Sequence, residues 1–450
     1  MTSRAKMLIG VAALCCTALT GVLRAQVHPE RTVVVISLDG VPAYMLKDPQ
    51  LPMPTLRKMM REGARAETML PVNPTITWPN HTSMVTGVNA AKHDLIFNGR
   101  LKWLTPDGPP KIDFALPKSD LVHAPTIYDV AFAAGLTTAQ SDWPAADKAN
   151  TITWSFGECP ETQGVVAREL IASGVVEERF VKGCLTGPQG WRNQLWTDAA
   201  IDIIEKHHPN LLLFHLLATD TLNHDSGPDS MASSIALAFV DDRIKQILDA
   251  LQRADLLKTS TVFVVSDHGF NKVDHWIHPN VVLVQDGLLQ GKGAEKTSPA
   301  WIETDGGVSM IYIPREEGRA GLIARLTDEF SKVEGISKVY TGTELEALGF
   351  PVRGKSDQAP DMLLAAKSNY SFSPGEDRPL VEPTAGPRGA HGYLNTDPKM
   401  GATFVAWGNG IKAGVVLNEI KNLDVAPTIA NILGLKMPSA DGRVLREILE

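Results

Sequence analysis

Three short apolar runs in this sequence each end in a carboxylate. TVVVISL runs into Asp39, NLLLFHLLAT into Asp220, and TVFVVS into Asp267 with His268 beside it. His224 follows Asp220 by four residues in TDTLNHDSGP, a spacing that puts both side chains on one side of a turn or helix start. Three carboxylates at the strand ends of one sheet would repel one another, so something cationic should sit among them. The histidines favour a metal over an arginine cluster, because imidazole with carboxylate suits a borderline ion such as zinc at three or four ligands per ion. Taken singly, an Asp-His pair after a strand reads as a helix cap with a surface histidine. Three such strand ends in one chain argue against that reading.

A nucleophile is the next requirement. In NPTITWPNHTSMVTG, Thr77 stands between a β-like stretch and Pro79, a first-turn residue for the helix that follows. A hydroxyl there lies near a helix N-terminus, where backbone amides favour an anion. The competing reading is an ordinary N-cap. The sequon Asn80-His81-Thr82 falls inside this segment and reads as chance.

The elements that must position these residues alternate along the chain. TVVVIS precedes the helical PTLRKMMREGA, and TIYDVAFAAG precedes LTTAQS. DAAIDIIEKHH precedes NLLLFHLL, and SSIALAFVDDRIKQILDALQRAD precedes TVFVVS. Apolar β-rich runs separated by helical segments predict βαβ units and an α/β fold: a doubly wound, mostly parallel sheet flanked by helices. Open sheets of this kind bind ligands beyond the C-terminal ends of their strands, where the three carboxylates fall. From about 271 to 389 the stretch VSMIYIP, GLIARLTDEFSKV and DMLLAAK carries its own strand and helix signals, so a small α+β subdomain is expected inside one catalytic domain spanning 26–450.

At 450 residues, 44% hydrophobic and 21% charged, the composition is that of a globular chain with a sizeable core. A formal charge of -8 with no basic stripe argues against nucleic acid as a partner. Arg4 and Lys6, the run MLIGVAALCCTALTGVL and Leu23-Arg24-Ala25 have the order of a secretory signal over residues 1–25, with cleavage expected after Ala25. The run is too short for a spanning helix, and the residues before Cys15 and Cys16 fit a lipidation box poorly. A periplasmic or secreted location follows, with no membrane span after signal removal. Cys159 and Cys184 are then the remaining cysteines, and an even pair in an oxidising compartment is expected to bridge.

The ordered set SLDG, TWPNHTSMVTG, TDTLNHDSGP, VSDHGF and GAHGYLN resembles the alkaline phosphatase superfamily, specifically the nucleotide pyrophosphatase/phosphodiesterase (type I phosphodiesterase) family. The C-terminal LDVAPTIANILGLKMPSADGRVL resembles the closing helix and tail of that superfamily. The resemblance implies an alkaline-phosphatase-like fold and two zinc ions. One would be held by Asp39, Asp267, His268 and the Thr77 hydroxyl, the other by Asp220, His224 and His391, the last a residue that its Gly-rich loop does not single out. It further implies that Thr77 attacks phosphorus to form a phosphothreonine intermediate. Asn98, in HDLIFNGR, matches the family's asparagine that hydrogen-bonds a non-bridging phosphate oxygen; from local sequence it is only the first half of an Asn-Gly turn.

The substrate implied is a small phosphate ester, with nucleotides among the possibilities and no oligomeric state indicated. SDWPAADKAN resembles the diesterase branch's WPG-type loop, with Trp143 offering either a flat face to a base or a plain core ring, and Ala145 standing where that loop has glycine. Lys148 keeps a phosphomonoesterase open, since monoesterases of the superfamily add positive charge to hold a dianion. A phosphonoacetate-type hydrolase would use the same dizinc logic. A sulfatase would need a Cys or Ser in a CxPxR-like motif, which Thr77 followed by Trp-Pro does not supply. A non-catalytic zinc-stabilised binding protein would be expected to have lost the nucleophile or a ligand.

Overall fold

Every residue of the strands Thr32–Leu38, Leu211–Leu216 and Ser260–Val265 is buried. Such strands are covered on both faces, which is why their sequences are near-continuous apolar runs rather than alternating ones. Val34, Ile36 and Leu38 pack with Leu195, Trp196 and Ile244 of the helices Gln189–His207 and Met231–Arg253. Val33 and Val35 point the other way, into a core shared with Met84, Tyr128 and Ile429 of the helices Thr77–Thr86, Ile127–Ala133 and Val425–Ile432. The computed structural model describes residues 27–105 and 108–450; the expected signal, with Cys15 and Cys16, lies outside the described residues.

The central sheet has eight strands in the order Val415–Lys421, Ala64–Leu70, Phe404–Gly408, Ser260–Val265, Thr32–Leu38, Leu211–Leu216, Thr138–Ser141, Trp154–Phe156. All neighbours run parallel except Phe404–Gly408, which is antiparallel to both strands beside it. Register sets the strand ends level: Leu38 pairs with Leu216 and Ser37 with Val265. Among the described residues no helix is long and apolar enough to cross a membrane.

After Ser260–Val265 the chain leaves the central sheet and builds two smaller ones. One is antiparallel, in the order Trp301–Asp305, Val308–Tyr312, Met362–Ala366, Ile336–Thr341; the other has Asn271–Ile277 between Asn369–Phe372 and Val381–Ala390. The second returns the chain to the site, because His391 follows directly on Val381–Ala390. The first holds a half-buried acid, Glu303, whose carboxyl desolvation alone pushes up to about 7. A raised carboxyl pKa means that the folded state holds its proton longer, so stability is full below the ordinary value of 4.5 and is lost as pH rises from there through about 7. Glu303→Gln is therefore expected to stabilise the protein by roughly 2 kcal/mol at pH 8 and to be near neutral at pH 4, read from urea unfolding at the two pH values.

Candidate active site

The three carboxylates meet because their strands are neighbours. Asp39 donates its backbone N–H to the carbonyl of Leu216, and the next amide, Gly40, donates to Asp267 Oδ1 at 3.1 Å. Gly40 adopts φ +65°, and a Cβ there would meet the Phe270 ring at 2.6 Å and the Asp220 Cα at 3.3 Å. Only glycine lets the strand ends close to this distance.

Asp39, Asp267 and His268 are fully buried, and His391 is buried beside them. His268 Nε2 lies 3.1 Å from Asp267 Oδ2, 3.5 Å from Asp39 Oδ1 and 3.3 Å from Thr77 Oγ1. Asp220 Oδ1 lies 3.4 Å from His224 Nε2 and 3.7 Å from His391 Nε2. The His268 and His391 rings stack at 3.8 Å and join the two groups. Potential ligand atoms of Asp39, Asp267 and His268, and those of Asp220, His268 and His391, each fall within 4.8 Å of one another.

Each of these three histidines gives its Nδ1 proton to a main-chain carbonyl: His224 to Gly389 at 3.0 Å, His268 to Gly269 at 3.1 Å and His391 to Thr75 at 3.0 Å. A carbonyl can only accept, so Nδ1 carries a proton and Nε2 is the ring nitrogen that faces the carboxylates. One oxygen of each carboxylate, Asp39 Oδ1, Asp220 Oδ1 and Asp267 Oδ2, is buried without a hydrogen-bond partner. Buried carboxylate oxygens left without a donor, opposed by imidazole Nε2 atoms, are what a metal centre looks like from the protein side.

The electrostatics agree. Burial pushes the Asp39 carboxyl well up, and Asp267 and Asp220 push it further. Burial pulls His268 down to about 4 and His391 to about 3, so both are neutral at neutral pH, as ligation requires. Burial also opposes a charge on His224, but Asp220 outweighs it and lifts that imidazole to about 9. His224 is thus the positive charge beside Asp220, and a metal ion bound there would displace its Nε2 proton and take over that role.

Thr77 is the first residue of its helix, and the preceding N-cap, Ile76, makes no side-chain cap. Its hydroxyl is therefore not used as a cap and instead faces His268. Asn98 Oδ1 accepts the Trp78 N–H at 2.9 Å, so the amide's donor end is the one still available to a ligand. Asn80 of the sequon is buried, with its amide bonded to Pro74, Ile76 and Asn422.

A cavity of about 600 Å³ opens from these groups and is walled by Trp78, Phe114, Leu116, Trp143, Ala145 and Asp305, among others. Trp143 is 3% exposed and lies edge-on to His81 at 4.9 Å, a fixed piece of wall rather than a free stacking platform. Cys159 is bridged to Cys184 and lines the same cavity. Ala145 adopts φ +56°, a left-handed conformation that costs a residue with a Cβ about 1 kcal/mol or more. Ala145→Gly is expected to raise stability by roughly 0.5–1 kcal/mol, checked by the urea midpoint.

Sequence reasoning missed three side chains packed against the carboxylate–histidine cluster: His81, Asp142 and His215. His81 donates from Nδ1 to the Thr77 carbonyl at 2.9 Å and accepts from Ser37 Oγ at 2.8 Å. His215 was the readable signal, the one imidazole in an otherwise apolar strand, LLLFHL.

The family model for type I phosphodiesterase / nucleotide pyrophosphatase matches residues 33–394. An uncharacterized pyrophosphatase/phosphodiesterase of Schizosaccharomyces pombe is 23% identical over 92% of this chain and 79% of that protein. Ectonucleotide pyrophosphatase/phosphodiesterase family member 1 of Homo sapiens is 23% identical over 89% of this chain, which spans only 40% of that longer protein. Murine ectonucleotide pyrophosphatase / phosphodiesterase 5 superposes with a TM-score of 0.70 at 19% identity, covering 93% of this chain and 100% of that one, and an inactive variant of it in complex with AMP matches equally well. The chain therefore belongs to the type I phosphodiesterase / nucleotide pyrophosphatase family, hydrolases acting on phosphoric ester bonds.

Proposed function

We propose that the protein is an exported dizinc phosphodiesterase that cleaves phosphate diesters through a covalent intermediate on Thr77. The observation that carries the diester reading is the charge of the cavity wall. Among the described residues that line it there is no lysine or arginine, while Asp142, Asp147, Glu158 and Asp305 are present. Lys148, the side chain that would have served a monoesterase, is exposed and does not line the cavity. A diester brings one negative charge to the metals; a monoester brings a second that no lysine or arginine of the wall neutralises.

Asp39, Asp267 and His268 would hold one zinc with Thr77, and Asp220, His224 and His391 the other. When bound, the two ions lower the pKa of a coordinated hydroxyl and stabilise the charge on the attacking and departing oxygens. The Thr77 hydroxyl, set at a helix N-terminus, passes its proton to solvent water and attacks phosphorus as the alkoxide. The P–O bond to the departing alcohol breaks as the Thr77 Oγ–P bond forms, and water then cleaves the phosphothreonine and frees Thr77. Asn98 donates its amide N–H to a non-bridging oxygen as charge builds there. His224, His268 and His391 stay aimed because their Nδ1 protons are tied to main-chain carbonyls.

The test is the ratio of kcat/KM for an aryl diester of a nucleotide to that for the matching aryl monoester, on zinc-loaded mature protein. We expect a ratio above about tenfold, or about 1.4 kcal/mol of transition-state preference. A ratio below one would assign the monoesterase activity instead, and inactivity on both with zinc bound would point to P–C cleavage.

A further inference from the structure

His215 sits in the buried strand Leu211–Leu216, where its neighbours Phe214 and Leu216 serve the core, and it is 3% exposed. A polar side chain there is costly unless each of its ring nitrogens has a partner, and both do. Nε2 lies 3.0 Å from Asp39 Oδ2, and Nδ1 lies 2.9 Å from Asp142 Oδ2. The ring is held edge-on by His81 at 4.8 Å, and His81 is itself fixed by Ser37 and the Thr77 carbonyl. Asp39 thus has two unlike oxygens: Oδ2 is occupied by His215, and Oδ1 is buried without a partner on the side of His268.

We propose that Asp142 and His215 are a positioning pair that orients Asp39 toward the metal, an inference that rests on the dizinc reading given above. An aspartate free to rotate about its last bond would present either oxygen or both. His215 Nε2–H donates to Oδ2 and removes that choice, and Asp142 fixes the imidazole that does it. The strand pairing that aligns His215 with Ser37 puts the donor within reach of Asp39, two residues further along and on the same side of the chain. Asp142 begins the loop that continues through Trp143 and Ala145, so the cavity wall and the metal ligand are joined through one imidazole. A side chain that hydrogen-bonds a metal-ligating carboxylate in this way typically controls metal affinity by about 10- to 100-fold.

The test reads zinc directly. Mature protein loaded with zinc is challenged with a chromophoric chelator, as wild type and as His215→Leu, His215→Gln and Asp142→Asn. The expected result is that His215→Leu releases one ion about 10- to 100-fold more readily, that His215→Gln, which keeps a donor, recovers part of the loss, and that kcat for the diester falls while KM stays within a few-fold. A folded His215→Leu, by near-ultraviolet circular dichroism, that holds both ions as tightly as wild type would overturn the proposal. If that variant does not fold, Asp142→Asn decides: unchanged zinc release overturns it and faster release supports it. Wild-type protein that binds no zinc would overturn the dizinc reading and this inference with it, whereas zinc binding without diesterase activity would sink only the assigned substrate.

Discussion

Thr77→Ala is expected to lower kcat/KM for a phosphate diester by about 10⁴-fold or more, while zinc content and fold stay intact. The size of the loss follows from what the hydroxyl does: without it no covalent intermediate forms, and what remains is the electrostatic effect of the site on direct attack by water. The intact fold follows from what the hydroxyl does not do. It caps no helix, since the capping position belongs to Ile76, and alanine suits the first turn at least as well. Stability should change by no more than about 1 kcal/mol. Thr77→Ser, which keeps an oxygen, should retain most of the activity. An alanine variant with more than about a tenth of wild-type kcat would remove Thr77 from the nucleophile's role.

Stripping the metal should be as severe for activity and also visible in stability. Chelation is expected to leave under about 1% of the activity and to lower Tm by on the order of 5 to 10 °C, with both restored by zinc and not by magnesium. The stability loss has a specific origin. Asp39, Asp220 and Asp267 each bury an oxygen with no donor, and in the metal-free protein the first of these is driven toward its protonated form by burial and by the other two. Magnesium should fail because the site offers three imidazoles, whereas that ion takes oxygen ligands and keeps its waters. Full activity in magnesium after exhaustive chelation would refute the zinc assignment.

Much of this was legible in the sequence, and what was not has physical reasons. Asp39, Asp220 and Asp267 announce themselves because a fully buried strand has no other cause to end in a carboxylate, and His224 and His268 stand close to them in the chain. His391 and Asn98 sit in loops whose local sequence says only turn, so the family resemblance alone singles them out. Asp142 and His215 were missed because their relation is a pairing between strands, Thr138–Ser141 beside Leu211–Leu216, invisible along either segment. The alternation of strands and helices predicted a doubly wound sheet, but apolar patterning carries no direction, so it could not tell that Phe404–Gly408 runs against its neighbours.

That reversed strand governs the order in which the sheet can be completed. Ala64–Leu70 is made more than 300 residues ahead of Phe404–Gly408 and Val415–Lys421, its partners in the sheet among the described residues. During synthesis it therefore waits, an unpaired β segment, until residues 404–421 have emerged. The half of the sheet on the far side of Thr32–Leu38 can form well before that. Closure of such a distant pairing is slow because the loop entropy must be met first. A nascent chain cut short before residue 404 would carry Asp39, Thr77, Asp220, Asp267 and His268, and still have an open edge beside Ser260–Val265 for another chain to join.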